Sequence, residues 1–192
     1  MAKTESTFKN MVLVLFAISL VASLSLGAVY NLTKAPIAKA QQEKKEAAIK
    51  KVVPPFDQLE PVSVVPDGGG DPVVINRALK GGEVVGYAVE TYTDKGFGGR
   101  IMLMVGFKPD GTIINTAVLK HTETPGLGDK MDIAKSDFPR QFQDQNPENF
   151  KLMVKKDGGS VDAITAATIS SRAFCDAVER GFNVVKKEGG SK

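Results

Sequence analysis

Two segments hold residues whose types and spacing suit chemistry. The first, His121-Thr122-Glu123-Thr124-Pro125-Gly126-Leu127-Gly128, sets a carboxylate, two hydroxyls and two glycines in one short stretch. Glycines so placed let backbone amides approach a bound group closely. The second, Asp162-Ala163-Ile164-Thr165-Ala166-Ala167-Thr168-Ile169-Ser170-Ser171, puts hydroxyls at 165, 168, 170 and 171 just after an acidic residue and around the start of an amphipathic helix. Free backbone N–H groups and the positive dipole end make a helix start an anion site, and a phosphate held there needs no lysine. The same residues admit a plainer role, in which Thr165 or Asp162 caps the helix and nothing is bound.

Other reactive side chains offer less. His121 is the chain's one histidine. It falls at a strand end with no nucleophile or second ligand identifiable, and it reads as a structural residue. Cys175 is the one cysteine, which excludes an internal disulfide, a CxxC pair and a multi-thiolate metal site. It lies beside the apolar stripe of the last helix and reads as core. Ser170 and Ser171 have no identifiable base, so a hydrolase lacks its machinery. No GxxxxGK[ST] is present, nor a GxGxxG after a strand, which speaks against nucleotide binding in the usual α/β manner. No catalytic side chain and no metal ligand set is assigned. Lys+Arg 25 against Asp+Glu 22 leaves a net charge of +3, too small a surplus for a nucleic-acid footprint. Hydrophobic residues at 42% and charged residues at 24% suit a chain with a core and exclude disordered, collagenous and disulfide-framework classes.

The elements that must position these segments follow from the periodicity. Residues 1–10 form a short tail. Met11 to Tyr30, MVLVLFAISLVASLSLGAVY, is uncharged, and as a helix it reaches roughly 30 Å, the thickness of a bilayer's hydrocarbon core. The competing reading is a cleaved signal, but the nearest A-x-A, Ala38-Lys39-Ala40, lies well beyond the apolar run, which favours a retained anchor. Flanking lysines on both sides leave the orientation undecided by charge. Residues 31–72 read as a solvated helical stalk rich in Lys, Glu, Gln and Ala, followed from Pro54-Pro55 by a Pro/Gly-rich linker that is irregular over 54–72. Residues 73–192 form the folded domain. Residues 73–120 predict an antiparallel sheet of three or four strands. In Glu83 to Thr93, Val85, Tyr87, Val89 and Thr91 share one face, and Val84, Gly86, Ala88 and Glu90 the other. Lys108-Pro109-Asp110-Gly111 predicts the hairpin between Arg100–Phe107 and Thr112–Lys120, and Met102 and Met104 read as core filling. Short helical pieces are expected around 132–134 and 138–142. The last helix is expected from about Ala166 to Lys187, with Ile169, Ala173, Ala177, Val178, Phe182 and Val185 on its buried stripe and Lys186 and Lys187 at its negative end. The fold class is therefore α+β: one N-terminal transmembrane helix, then a small antiparallel sheet packed with helices.

Taken together, Glu123 to Gly128 (ETPGLG), Asp162 to Thr168 (DAITAAT) and the glycine-rich Lys95-Gly96-Phe97-Gly98-Gly99-Arg100-Ile101 resemble the covalent FMN-binding domain of the G subunit of the Rnf electron-transport complex. They also resemble its relative, the C subunit of the sodium-translocating NADH:quinone reductase. The resemblance covers about residues 73–188 and the anchor. It implies that FMN is joined by a phosphoester bond to Thr168, the last residue of a motif D-x-x-[ST]-G-A-T, by a separate flavin transferase. It implies that Thr165, Ala166 and Ala167 frame the attachment, and that Glu123, Thr124, Gly126, Leu127 and Gly128 lie against the flavin. For Asp162 the resemblance implies a part in positioning the transferase's metal and the threonine, with a helix cap as the alternative. Ala166 stands where glycine is usual. In a positive-φ turn alanine costs of order 1 kcal/mol, whereas at a helix start it is well tolerated, and the attachment is read as intact. The implied function is an electron-carrying subunit of a membrane-bound, ion-translocating ferredoxin:NAD⁺ oxidoreductase. Its partners are the other membrane subunits, and its flavin domain lies on the periplasmic side of the bacterial inner membrane. The short span between anchor and flavin domain favours the Rnf subunit over the quinone-reductase subunit. A membrane-tethered binding or scaffold domain without flavin, with Thr165 and Thr168 as caps, is the reading from a different class.

Overall fold

The computed structural model describes residues 7–66 and 69–189 of the 192. Residues 1–6 of the expected tail and Gly68 of the linker lie outside the described residues. By its internal packing the chain divides into two units, Met1–Glu43 and Lys44–Lys192.

The first helix, α1, runs without a break from Phe8 to Val52, so anchor and stalk are one element. Pro36 lies within this span and is absorbed inside the helix. One backbone donor is lost there. Nearby, the Thr33 hydroxyl donates to the Val29 carbonyl at 2.8 Å. The apolar part of α1 is exposed and is long and apolar enough to cross a membrane.

From Lys44 onward the chain is α+β. Five antiparallel strands stand in chain order, β1 Gln58–Val64, β2 Val73–Lys80, β3 Glu83–Thr93, β4 Ile101–Phe107 and β5 Ile113–Lys120. Four of them occupy the span in which a sheet was expected. β1 corrects the reading of 54–72 as irregular. It is an edge strand, and Pro61, opposite Asn76, is tolerated there because an edge leaves backbone groups unpaired in any case. A second correction concerns β3. The pairing with β2 slips between Ala78 and Leu79, so Gly86 faces Ala78 while Val84 faces Leu79. The extra residue, Val85, resets the alternation. Val84 therefore packs with Tyr87 and Val89, and Val85 with Ala88.

Both faces of the sheet are covered. On one, Ile75, Val89, Leu103, Val105 and Phe107 meet Ala173, Phe174, Ala177 and Val178 of the last helix, α2, Thr168–Gly189. On the other, Ala78, Ala88 and Met104 meet Ala48, Ile49, Val52 and Val53 at the end of α1. Gly106 makes the second contact possible, since a Cβ there would overlap the Val52 carbonyl. The β4–β5 hairpin closes as expected: Gly111, at φ +83°, follows the turn, and its N–H donates to the Lys108 carbonyl at 2.9 Å.

Between β5 and α2 the chain makes three short 3₁₀ turns, Gly128–Met131, Phe138–Phe142 and Lys155–Asp157. Phe138 and Phe142 hold this segment to α2, their ring centroids 5.3 and 4.9 Å from that of Phe174. The stripe of α2 is buried as read from the sequence except at Ile169, which is 48% exposed. The helix begins at Thr168, two residues later than expected, and its first turn stands at the edge of a cavity instead of over the sheet. Cys175 is buried in the core, and desolvation pushes its thiol up to about 12.

Gly106→Ala should lower the thermal unfolding midpoint, with a loss of about 1–3 kcal/mol from overpacking. An unchanged melting curve by circular dichroism would show that α1 does not depend on this contact.

Candidate functional site

Three chain segments come together around one carboxylate. The first follows β5, where the Glu123 N–H donates to His121 Nδ1 at 3.1 Å. This bond ties the end of β5 to the turn that follows. Pro125 presets φ and Gly126 takes φ +79°, so that the Leu127 N–H reaches the Thr124 carbonyl at 3.2 Å, the turn that a Pro-Gly pair favours.

The second segment is the glycine-rich loop between β3 and β4. Its Gly98 N–H donates to Glu123 Oε1 at 2.9 Å, and Thr122 Oγ1 donates to the Gly98 carbonyl at 2.5 Å. Arg100 fixes the end of the loop. Its guanidinium lies 4.4 Å from the Tyr92 ring centre and donates through Nε to Asp94 at 2.6 Å, holding that carboxyl below its usual range.

The third segment is the start of α2, where the Ser170 hydroxyl donates to Glu123 Oε2. Gly128 sits where these parts converge. A Cβ there would lie 2.5 Å from Ser170 Oγ and 2.7 Å from Glu123 Oε2, so only glycine fits.

The start of α2 is tied by Ser171, whose hydroxyl accepts from the Ile164 N–H at 2.9 Å and donates to the Ala167 carbonyl at 3.0 Å. Just before it, the Ala167 N–H closes a turn on the Ile164 carbonyl at 3.0 Å, with Ala166 at φ +60°. Ala166 is therefore not the helix start expected of it. It occupies the left-handed turn position at which glycine is free of strain and alanine is not. Thr168, half-buried, opens the helix. The N–H groups of Thr168, Ile169 and Ser170 have no carbonyl behind them within the helix to bond.

These segments enclose a cavity of about 340 Å³, lined by Phe97 from the glycine loop, by Glu123, Thr124, Leu127 and Gly128, and by Ala166 to Ser170. Phe97, Leu127 and Ile169 are exposed apolar side chains, 69%, 40% and 48% accessible, all on this one cavity. A larger hollow of about 490 Å³ lies between Val65-Pro66 and the outer face of α2, lined by side chains of both charges and by none of the motif residues.

Of the residues singled out in the sequence, Glu123, Thr124, Leu127, Gly128, Ala166, Ala167 and Thr168 line the cavity. Gly126 shapes the turn behind it. Thr165 and Asp162 are exposed outside the lining. Asp162 does not cap α2. Its carboxylate pairs with Lys155 at 2.7 Å, and its N–H donates to Gln141 Oε1 at 2.7 Å. Three lining residues had been given no part in holding a cofactor: Phe97, Ile169 and Ser170. The signal for Phe97 was an aromatic set between glycines. Ile169 carried no signal, because helical spacing assigned it to the core.

Asp129, next after Gly128, is buried and steadies the loop. Lys135 Nζ donates to it at 2.7 Å. This bond, with a lesser one from the Gly126 amide, holds its carboxyl below the ordinary value of 3.8.

A sequence model described as the FMN-binding domain matches residues 96–183, a span that contains every segment of the cavity. Curated proteins named as the G subunit of an ion-translocating oxidoreductase complex match nearly the whole chain. The protein from Cereibacter sphaeroides (strain ATCC 17029) is 35% identical over 191 residues, 95% of this chain and 85% of its own. That from Methanosarcina acetivorans is 37% identical over 185 residues, 94% and 96% of the two chains. That from Pasteurella multocida is 34% identical over 188 residues, 93% of each. The chain belongs to the G-subunit family of ion-translocating oxidoreductase complexes. In this family member the donor set fits FMN: an apolar-walled cavity for a ring system, a glycine cradle at Gly128 that a Cβ would fill, and the unpaired first-turn amides of α2 for a phosphate.

Two outcomes test the local geometry. Ala166→Gly should relieve the left-handed strain of about 1–2 kcal/mol, offset in part by glycine's greater unfolded-state entropy, for a net gain of up to about 1 kcal/mol in chemical denaturation. Asp129→Asn should destabilise the domain at neutral pH. Because the folded-state carboxyl is depressed, its contribution is complete above 3.8 and fades as pH falls through the lower folded value. The gap in melting temperature between wild type and Asp129→Asn should therefore close below that pH.

Proposed function

We propose that this protein carries FMN joined by a phosphoester to Thr168 and passes electrons as a subunit of a membrane-bound, ion-translocating ferredoxin:NAD⁺ oxidoreductase. The observation that carries the reading is the place of Thr168. It is half-buried in the first turn of α2, its hydroxyl makes no hydrogen bond among the described residues, and it lines the same cavity as Glu123, Thr124, Leu127 and Gly128. The hydroxyl that ties the start of α2 is that of Ser171, which leaves Thr168 without the capping task that a flavin-free scaffold domain would give it.

The chain's residues have plain tasks in this reading. The amides of the first turn of α2 hold the phosphate, and the dipole of that helix favours its charge. Phe97, Leu127 and Ile169 shield the ring system from water. Bound FMN supplies one- and two-electron redox chemistry, and the polypeptide supplies orientation and electrostatics.

A separate flavin transferase makes the bond during maturation, and the other membrane subunits of the complex take up the electrons. The flavin domain stands on the periplasmic side of the bacterial inner membrane. A covalent link suits that side, because a site filled by equilibrium binding empties where free FMN is scarce. The relatives' names favour this assignment over the quinone-reductase C subunit.

The full chain, expressed with a flavin transferase, should gain the mass of FMN less water and give a fluorescent band that survives denaturing electrophoresis. Thr168→Val should lose both while keeping its circular dichroism spectrum. A colourless wild-type protein of unmodified mass would overturn the reading, and fluorescence persisting in Thr168→Val would overturn the site.

A further inference from the structure

Glu123 is 4% exposed and lines the cavity, yet no cation compensates it. Among the described residues it joins no ion pair, and its partners are two neutral donors, the Gly98 N–H at 2.9 Å and the Ser170 hydroxyl. His121, which faces the same backbone, accepts through Nδ1. Two neutral donors leave much of the charge unscreened, and burial of a carboxylate is costly unless it is paired.

The mechanical task of Glu123 does not require that charge. A glutamine of the same shape accepts from Gly98 through its carbonyl and donates to Ser170 through its amide. What a carboxylate adds over an amide is a fixed negative charge at the wall of the cavity.

On the reading that FMN occupies this cavity, we propose that Glu123 is a tuning residue whose buried charge lowers the reduction potential of the bound cofactor. Each electron taken up brings one negative charge, and a like charge nearby in a poorly solvated site opposes it. Where a proton accompanies the electron, the opposition is smaller. Ser170 moderates the effect, since its hydroxyl withdraws part of the carboxylate's field. The residue reacts with nothing and acts only through the field it sets.

The test is a spectroelectrochemical titration of the full FMN-loaded chain in detergent, with wild type, Glu123→Gln and Ser170→Ala compared at one pH. Glu123→Gln should melt at a similar temperature and, in the fraction that carries FMN, show an upward shift in midpoint potential. Ser170→Ala keeps the charge and removes one of its two donors, and it should shift the midpoint downward. A purely structural clip predicts no such opposed pair of shifts. A midpoint in Glu123→Gln that is unchanged or lower would overturn the proposal, and so would a Glu123→Gln protein that folds but fails to load. Wild type that takes up no FMN would fail earlier, at the proposed function, and would take this inference with it.

Discussion

The site exists because three stretches of backbone approach one buried carboxylate more closely than ordinary side chains permit. Gly98 presents its amide to Glu123, Ser170 presents its hydroxyl, and Gly128 lies between them where a methyl group would collide with both partners. Remove that convergence and the glycine loop, the Pro-Gly turn and the first turn of α2 become separate surface features. The sheet holds these segments at fixed separations: β3 and β4 deliver the loop, β5 delivers the turn, and the aromatic cluster of Phe138, Phe142 and Phe174 brings the chain back to α2.

The energetics divide along α2. From Ala173 onward its inner face is buried against the sheet, which supplies the packing that keeps the helix in place. Its first turn makes little of that contact. Ile169 is exposed, and Ala166 precedes it in a strained conformation. Strain of this sort persists only where the surroundings over-determine it, and here the double hydrogen bond of Ser171 does so. The stable part of the helix thus supports a less comfortable turn at the cavity's edge.

Much of this was legible in the residues. The Pro-Asp-Gly hairpin, the amphipathic last helix, the buried cysteine and the apolar anchor each followed from local chemistry, and most of the residues lining the cavity lay in two short motifs. What was not legible depends on pairing between distant segments. β1 carries Pro61, and its Leu59 is out of phase with Val62 and Val64, so that its place at an edge is what makes it a strand. The inversion of Val84 and Val85 comes from a bulge, which sequence alternation does not announce. Ile169 was misassigned because periodicity says which side of a helix is apolar and not whether anything covers each turn. Phe97 shows the converse, a residue whose neighbours suggested a loop and whose role appears only when the cavity closes around it.

The buried thiol has a consequence for how the molecule meets oxidants. Burial keeps Cys175 a neutral thiol, its titration pushed up to about 12, and only the thiolate attacks disulfides or peroxides. Sulfenylation, glutathione adducts and intermolecular cross-linking are thereby suppressed at the one sulfhydryl of the chain. An electron arriving at this protein meets no thiol–disulfide couple to divert it.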